Sequence, residues 1–291
     1  MIDIFNQHRA QLFGIAYRML GSVAEADDML QETWLRWQKQ NTVEIQSPKA
    51  WLISTITRLC IDQLRSARRV REEYYGVWLP EPLVESTAPS PADAAVRADS
   101  LTMAFMLLLE TLSPVERAVF LLREVFDYDY ADVAAIVRKS EANCRQIARR
   151  AKAQLAAPVA TPKPNEQARR VVEQFIEATA SGEMTDLLAL LTEDATLYAD
   201  GGGRVPAAGE PIHTAVSISR FFIGIRDKRP PDTRVEFLVI NGQPGVLMRS
   251  GGKIYNAVSF QLHEGRIQAI YIVRNPEKLA HLEGRQANLV D

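Results

Sequence analysis

The stretch Ser113–Leu155 reads SPVERAVFLLREVFDYDYADVAAIVRKSEANCRQIARRAKAQL and carries the signals of three short helices. Ser113-Pro114-Val115-Glu116 is a helix start: serine caps, proline takes the first helical position, and Glu116 can reach back to the cap amide. A second helix has Val133, Ala134, Ile136 and Val137 as its apolar side. Arg138-Lys139-Ser140 then turns the chain, and Ser140 can cap a third helix. On that helix Cys144, Ile147 or Ala148, Ala151 and Leu155 recur at spacings of three and four and form one apolar face. Arg145, Gln146, Arg149, Arg150 and Lys152 lie mostly away from it. A helix with an apolar back and a basic, amide-bearing front, entered through a short helix and a tight turn, is a helix-turn-helix pattern. Arg145, Gln146 and Arg149 are the expected base readers, because arginine pairs bidentately with guanine and glutamine with adenine. Ser140, Asn143 and Arg150 are expected to position phosphates.

Charge is unevenly placed around this stretch. The 291-residue chain has a net charge of −2, which excludes binding DNA by bulk charge. Residues 138–152 nevertheless carry six Lys/Arg against one acid, and residues 58–71 carry five against one. Residues 110–132 instead hold six acids against two arginines. Two local basic patches fit phosphate contact, with a partner supplying further affinity. The length suggests two or three domains, and an apolar content of 47% supports real cores. Two cysteines, Cys60 and Cys144, indicate neither a disulfide framework nor a cysteine-rich metal site. The first twenty residues lack the pattern of a signal peptide, and no apolar run approaches a membrane span, so a soluble cytoplasmic protein is expected.

Upstream, residues 1–20 have helical apolar spacing, and Gly21 ends that helix. Ser22-Val23-Ala24-Glu25 reads as a capping box for the next. Asp27, Asp28, Gln31 and Glu32 form an exposed face on it, at spacings of three and four. Residues 38–46 are a polar connection. Ser47-Pro48 then starts a third helix through about Arg69, with Trp51 and Cys60 expected in its packed side.

GSVAEADDMLQETWLRWQ and SPKAWLISTITRLCIDQLRSARR resemble region 2 of bacterial extracytoplasmic-function sigma factors, stress-response members of the sigma-70 family. Ser113–Leu155 resembles region 4 of the same family. The resemblance implies a promoter-reading subunit of RNA polymerase. It maps core-polymerase docking onto Asp27, Asp28, Gln31 and Glu32. It maps capture of a flipped −10 base onto about Gln40–Ser47, where Asn41, Thr42 and Gln46 can supply hydrogen-bonding edges. Lys49, Arg58 and Arg65 would hold −10 backbone phosphates, and the helix-turn-helix would read −35.

Residues 71–100 are a proline-rich linker that nonetheless contains Tyr74, Tyr75, Val77, Trp78, Leu79 and Leu83. Trp78-Leu79-Pro80-Glu81-Pro82-Leu83 is read as an extended anchor that docks on a neighbouring domain. A helix from Asp99 or Ser100 to about Leu112 leads into the helix-turn-helix. After a second linker, helices are expected near 166–180, 184–191 and 214–226. Strands are expected at 195–198, 233–240, 244–249, 253–262 and 266–273, turned by Gly242, Gly251-Gly252 and Gly265. This order resembles a SnoaL-like domain of the nuclear-transport-factor-2-like superfamily.

The expected fold is therefore multidomain. It comprises a region 2 helical bundle (1–70), a linker with the WLPEPL anchor (71–100), a region 4 helix-turn-helix (101–157), a short linker (158–165) and an α+β cone (166–285). The whole combination resembles the SigJ-type subgroup, in which the fused C-terminal domain regulates activity. That resemblance assigns an interdomain regulatory role to Trp78–Leu83, to Asp200-Gly201-Gly202-Gly203-Arg204 and to Asn275-Pro276-Glu277-Lys278-Leu279. The subgroup pattern usually has lysine where Arg204 stands and often aspartate where Glu277 stands. Core RNA polymerase and promoter DNA are the implied partners, with an unknown small-molecule ligand left open for the C-terminal domain, and with no membrane and no separate anti-sigma factor expected. No cofactor, metal or catalytic residue is expected.

The alternatives are an enzyme, or a small-molecule sensor, fused to a DNA-binding module. Asp194, Asp200, His213 and His263, with Tyr198 and Tyr255, are the residues that acid–base chemistry would draw on. A cone lined by apolar side chains without a reachable acid or base would count against catalysis.

Overall fold

The computed structural model describes residues 1–40, 45–72, 74–84, 101–155 and 165–283, with no side-chain account for 67–72. The chain divides into two compact units. The first comprises the described parts of 1–73 and 86–159, and the second those of 74–85 and 160–291. The stretches expected as 1–70 and 101–157 share the first unit, and the anchor belongs to the second.

In the first unit, α1 (Ile2–Leu20) ends where Gly21 takes a left-handed φ of 70° and donates to the Tyr17 carbonyl. Glycine enters that conformation without a Cβ penalty. α2 (Val23–Gln38) starts as expected, with Glu25 N–H bonded to Ser22 Oγ at 3.1 Å. The Glu25 carboxylate, however, accepts from Gln63 Nε2 at 2.9 Å, tying α2 to α3 (Pro48–Glu72). Leu12, Ile15, Met19, Leu30, Trp37, Leu52, Ile53, Ile56 and Cys60 are buried between these helices. Trp51 leans on the buried Trp37 with ring centroids 5.3 Å apart but is itself half-buried, so only part of it meets the packed side expected for it.

α4 is shorter than expected, Met103–Leu109, because Thr102 caps it through Phe105 N–H. α5 (Pro114–Phe120) has the full capping box: Ser113 Oγ accepts from Glu116 N–H, and Glu116 Oε2 accepts from Ser113 N–H. A π-helical turn, Leu121–Val125, extends it. α6 (Tyr130–Val137) and α7 (Glu141–Gln154) form the helix-turn-helix, with Ser140 capping α7. Val133, Ile136, Cys144, Ala148 and Ala151 are buried; Ala148, not Ile147, completes the face.

Two buried or half-buried arginines join the two halves of this unit. Arg117, 3% exposed, donates to the Met19 carbonyl and to Glu110 Oε1, both at 2.7 Å. Arg58 on α3 donates from Nε to the Ile136 carbonyl at 2.9 Å and from Nη2 to the Ala135 carbonyl at 2.8 Å. Those carbonyls belong to the last turn of α6, which has no intrahelical donors left, and a cation suits its dipole.

The second unit opens with α8 (Glu166–Ser181), capped by Asn165, and α9 (Met184–Leu190). β1 runs Leu191–Asp200, longer than expected because it starts directly from the helix. β2 is a two-residue strand, Ile212–His213, too short to show a period in the sequence. α10 (Ala215–Ile225) precedes β3 (Arg234–Ile240), β4 (Gln243–Ser250), β5 (Lys253–His263) and β6 (Arg266–Val273). The six-stranded sheet has the order β2-β1-β6-β5-β4-β3, with β1 and β6 parallel and the other pairs antiparallel. Register shifts in β4–β5, β5–β6 and β1–β6 bend it. The helices fill its concave side around Phe175, Leu187, Ile218, Val246, Val258, Phe260 and Ile270. This is the α+β cone that the resemblance implies. A four-residue helix, α11 (Pro276–Leu279), closes the unit.

Candidate functional site: DNA-facing helices and an anchor cradle

On α2, Asp27, Asp28 and Gln31 are exposed and Glu32 is half-buried, so the four form one accessible face. Arg9 lies 3.8 Å from Asp27, and Arg36 pairs with Glu32 at 2.7 Å. Leu35, 43% exposed, sits three residues beyond Glu32. An acidic face with an exposed leucine offers an apolar contact that charge spacing did not reveal.

On α7, Asn143, Arg145, Gln146, Arg149 and Arg150 are all exposed, and Ser140 is spent on the cap. Arg145 is held by Glu141 at 2.6 Å and lies over the Tyr130 ring at 5.2 Å. Of the residues mapped to −10 contact, Gln46, Lys49 and Arg65 are exposed. Arg65 pairs with Asp62 at 3.3 Å, and Lys49 lies 5.8 Å over Tyr128. Arg58 differs: it is half-buried, and two of its donors go to α6. Asn41 and Thr42 lie outside the described residues. Burial raises the pKa of both cysteine thiols, which keeps them protonated.

A densely bonded site surrounds Asp200, which is fully buried at the end of β1. Its Oδ1 accepts from Tyr74 Oη at 2.5 Å and from Gly202 N–H at 2.9 Å. Its Oδ2 accepts from Leu79 N–H at 2.8 Å and from Lys278 Nζ at 2.7 Å. All lone-pair directions of the carboxylate are used, as a buried charge requires. Its backbone carbonyl also accepts from Arg274 and Asn275 N–H. Lys278 donates to the Leu79 carbonyl as well, and lies over the Trp78 ring at 4.2 Å and the Tyr74 ring at 4.9 Å. Asn275 caps α11 through Glu277 N–H and donates to Tyr74 Oη at 3.1 Å.

The glycines are there for space. A Cβ on Gly202, whose φ is +59°, would strike the Asn275 amide, and one on Gly201 would strike the Val205 carbonyl. Arg204 and Glu277 form an exposed ion pair at 3.0 Å. The two departures from the subgroup pattern are therefore each other's partners.

Farther along the anchor, the Leu83 amide and carbonyl bond Asn241, and Val84 bridges Ile240 at the end of edge strand β3. His281 contacts the Pro82 carbonyl at 3.0 Å. The sequence reading missed Tyr74, Asn241 and His281 as cradle residues. Their partners lie between 126 and 199 positions away, beyond any local spacing signal.

The residues considered for acid–base chemistry do not converge. Asp194 and His263 are exposed, and His213, also exposed, contacts Thr196 at 3.3 Å on β1. Tyr255 bonds Thr233 at 2.9 Å, and Tyr198 stacks on Tyr271 at 5.3 Å. Asp200 is fully engaged by the anchor.

Family models match twice: Sigma-70 region 2 over residues 4–70, and Sigma-70, region 4 over residues 102–155. The ECF RNA polymerase sigma factor SigJ of Mycobacterium tuberculosis is 34% identical, with 95% of this chain and 92% of the relative covered. The chain belongs to the extracytoplasmic-function RNA polymerase sigma factors. Probable ECF sigma factor SigI of the same species is 29% identical, covering 94% of this chain and 92% of the relative. The crystal structure of M. tuberculosis SigJ matches with a TM-score of 0.78 at 29% identity, covering 96% of this chain and 98% of that one. The likeness therefore extends through the C-terminal cone. A sigma factor is an initiation factor and not an enzyme; it binds core RNA polymerase and promoter DNA. Among the described residues, no helix is long and apolar enough to cross a membrane.

Proposed function

We propose that this sigma factor reads its promoter with a divided surface and that the C-terminal cone controls it in cis. The acidic face Asp27, Asp28, Gln31 and Glu32 docks on core polymerase. Asn41, Thr42, Gln46, Lys49, Arg58 and Arg65 serve the −10 element. Arg145, Gln146 and Arg149 read −35 bases, while Ser140, Asn143 and Arg150 hold phosphates. Work on core polymerase puts the protein in the cytoplasm.

The observation that carries the cis reading is the four-fold engagement of Asp200, two of whose donors come from the interregion linker. A linker held by its own chain meets its cradle at high effective concentration, so even a modest interface stays occupied. Trp78–Leu83, Asp200–Arg204 and Asn275–Leu279 are in this reading one device, which carries on the same chain the control that a separate anti-sigma factor would exert.

Run-off transcription with core polymerase tests it. A chain ending at Glu283 keeps every described anchor contact and should match the full chain in output. Ending the chain before Leu282 would remove a buried side chain and is a poorer control. Deleting from Gly201 onward removes Lys278 and Asn275 and should change output strongly. Equal output from that deletion would sink the regulatory reading while leaving the sigma activity intact.

A further inference from the structure

A cavity of about 340 Å³ opens where the end of α2, the first half of α3 and the turn after α6 meet, all within the first unit. Four cations line it: Arg36, Lys39, Arg58 and Arg138. Among the described residues no acid lines it, and Glu32 takes Arg36 from outside the lining at 2.7 Å. Trp51 forms one wall, and Gln40 and Thr55 add hydrogen-bonding groups.

Two features show that the cations are gathered at a cost. Arg138 caps α6 with φ 56° and ψ 51°, the left-handed conformation that glycine enters freely and a side chain enters against strain. Arg58 has its pKa lowered by burial and then by the charge of Arg138. Like charges converge there, and strained non-glycine residues held in place tend to mark functional sites.

We propose that this cavity binds a free nucleoside di- or triphosphate. Phosphate oxygens would take the Arg138 fork bidentately, with Lys39 and the charges of Arg36 and Arg58, whose forks are partly engaged by Glu32 and by α6, adding attraction. The base would lie against Trp51, with Gln40 and Thr55 on its edge. The volume falls in the range of small-ligand pockets. A promoter strand is the other source of phosphates, but three of the cations stand on region 2 and Arg138 stands on region 4. The full set exists only while α6 is packed on α3 through Arg58. A ligand that needs all four therefore favours the packed state by its differential affinity.

The test is isothermal titration of the full-length chain, magnesium-free and at low salt, with ATP, GTP, inorganic triphosphate and a short single-stranded oligonucleotide. Saturable one-to-one binding of a nucleotide is expected, weakened about tenfold or more by Arg138→Gly, which removes a bidentate charge. Because glycine suits the left-handed turn, that variant should unfold at no lower temperature than the parent, which separates lost binding from lost folding. Lys39→Gln should weaken binding without moving the melting temperature. Absence of saturable nucleotide binding overturns the proposal. So does inorganic triphosphate binding as tightly as the nucleotides, because the ring would then be unrecognised. Oligonucleotide binding indifferent to Arg138→Gly, with no nucleotide binding, would overturn it in favour of a region 2 strand contact.

Discussion

The recognition helix and the Asp200 cradle are built from the same kinds of side chain and use them oppositely. On α7 the arginines are exposed, and in the proposed reading their value lies in the DNA they meet outside the chain. In the cradle Lys278 and Asp200 are buried and satisfied within it. A surface cation contributes little to folding and much to binding. A buried pair contributes the reverse, and it punishes the loss of either member. The first unit can therefore exchange partners without unfolding, whereas the second holds the linker as part of its own structure.

Breaking the buried pair is the largest expected effect. Lys278→Ala leaves Asp200 charged and buried with one donor gone, and should cost the C-terminal unit about 3–5 kcal/mol. Denaturant unfolding would measure it; a change under 1 kcal/mol would mean that water reaches the site and the contrast with α7 is false.

Arg149→Ala sharpens the other side. It should weaken −35 DNA binding by about 1–3 kcal/mol while unfolding shifts by no more than about 0.5 kcal/mol. Mobility-shift assays on the isolated −35 duplex, paired with thermal melts, would show the split. Equal losses in both would place Arg149 in the fold.

The smallest effect is a pH dependence. Burial, and then the hydrogen bond to Asp200, raise the Tyr74 phenol above its ordinary value of 10.0. Neutral Tyr74 is thus favoured in the docked anchor. Its contribution is complete below pH 10 and is lost as the pH rises above 10 towards the docked value. Limited proteolysis of the linker should accelerate in that window for the parent chain, and Tyr74→Phe should flatten the dependence. A parent chain with no such acceleration would remove Tyr74 from the anchor's hold.

The same contrast explains what was legible in the sequence. The helix-turn-helix follows from caps and a 3.6-residue period, which are local, so Ser113, Ser140, Cys144, Ala148 and Ala151 all fall where the pattern puts them. The strands β3 to β6 follow from glycine turns between β-branched runs. β2 could not be read, because two residues have no period. In the cradle, Asp200, Gly202, Asn275 and Lys278 were visible only as motifs resembling a subgroup, and the sequence held no sign of what they grip. Tyr74 looked like one aromatic among several until Asp200, 126 residues away, gave it a partner. The packing of regions 2 and 4 into one unit was also invisible, since Arg58 reads as an ordinary helix-surface cation until its donors are followed to Ala135 and Ile136.

The proposed cis control would also act on slack. The anchor lies between the helix that ends region 2 and the helix that begins region 4, so every residue it holds is subtracted from the leash joining the two DNA readers. Residues 74–84 are all drawn into the C-terminal unit. Eleven residues paid out at full extension span roughly 35–40 Å. In the cis control proposed above, holding or releasing the anchor at Asp200, Asn241 and His281 together would adjust a length, and a length is what a reader of two separated DNA elements must match.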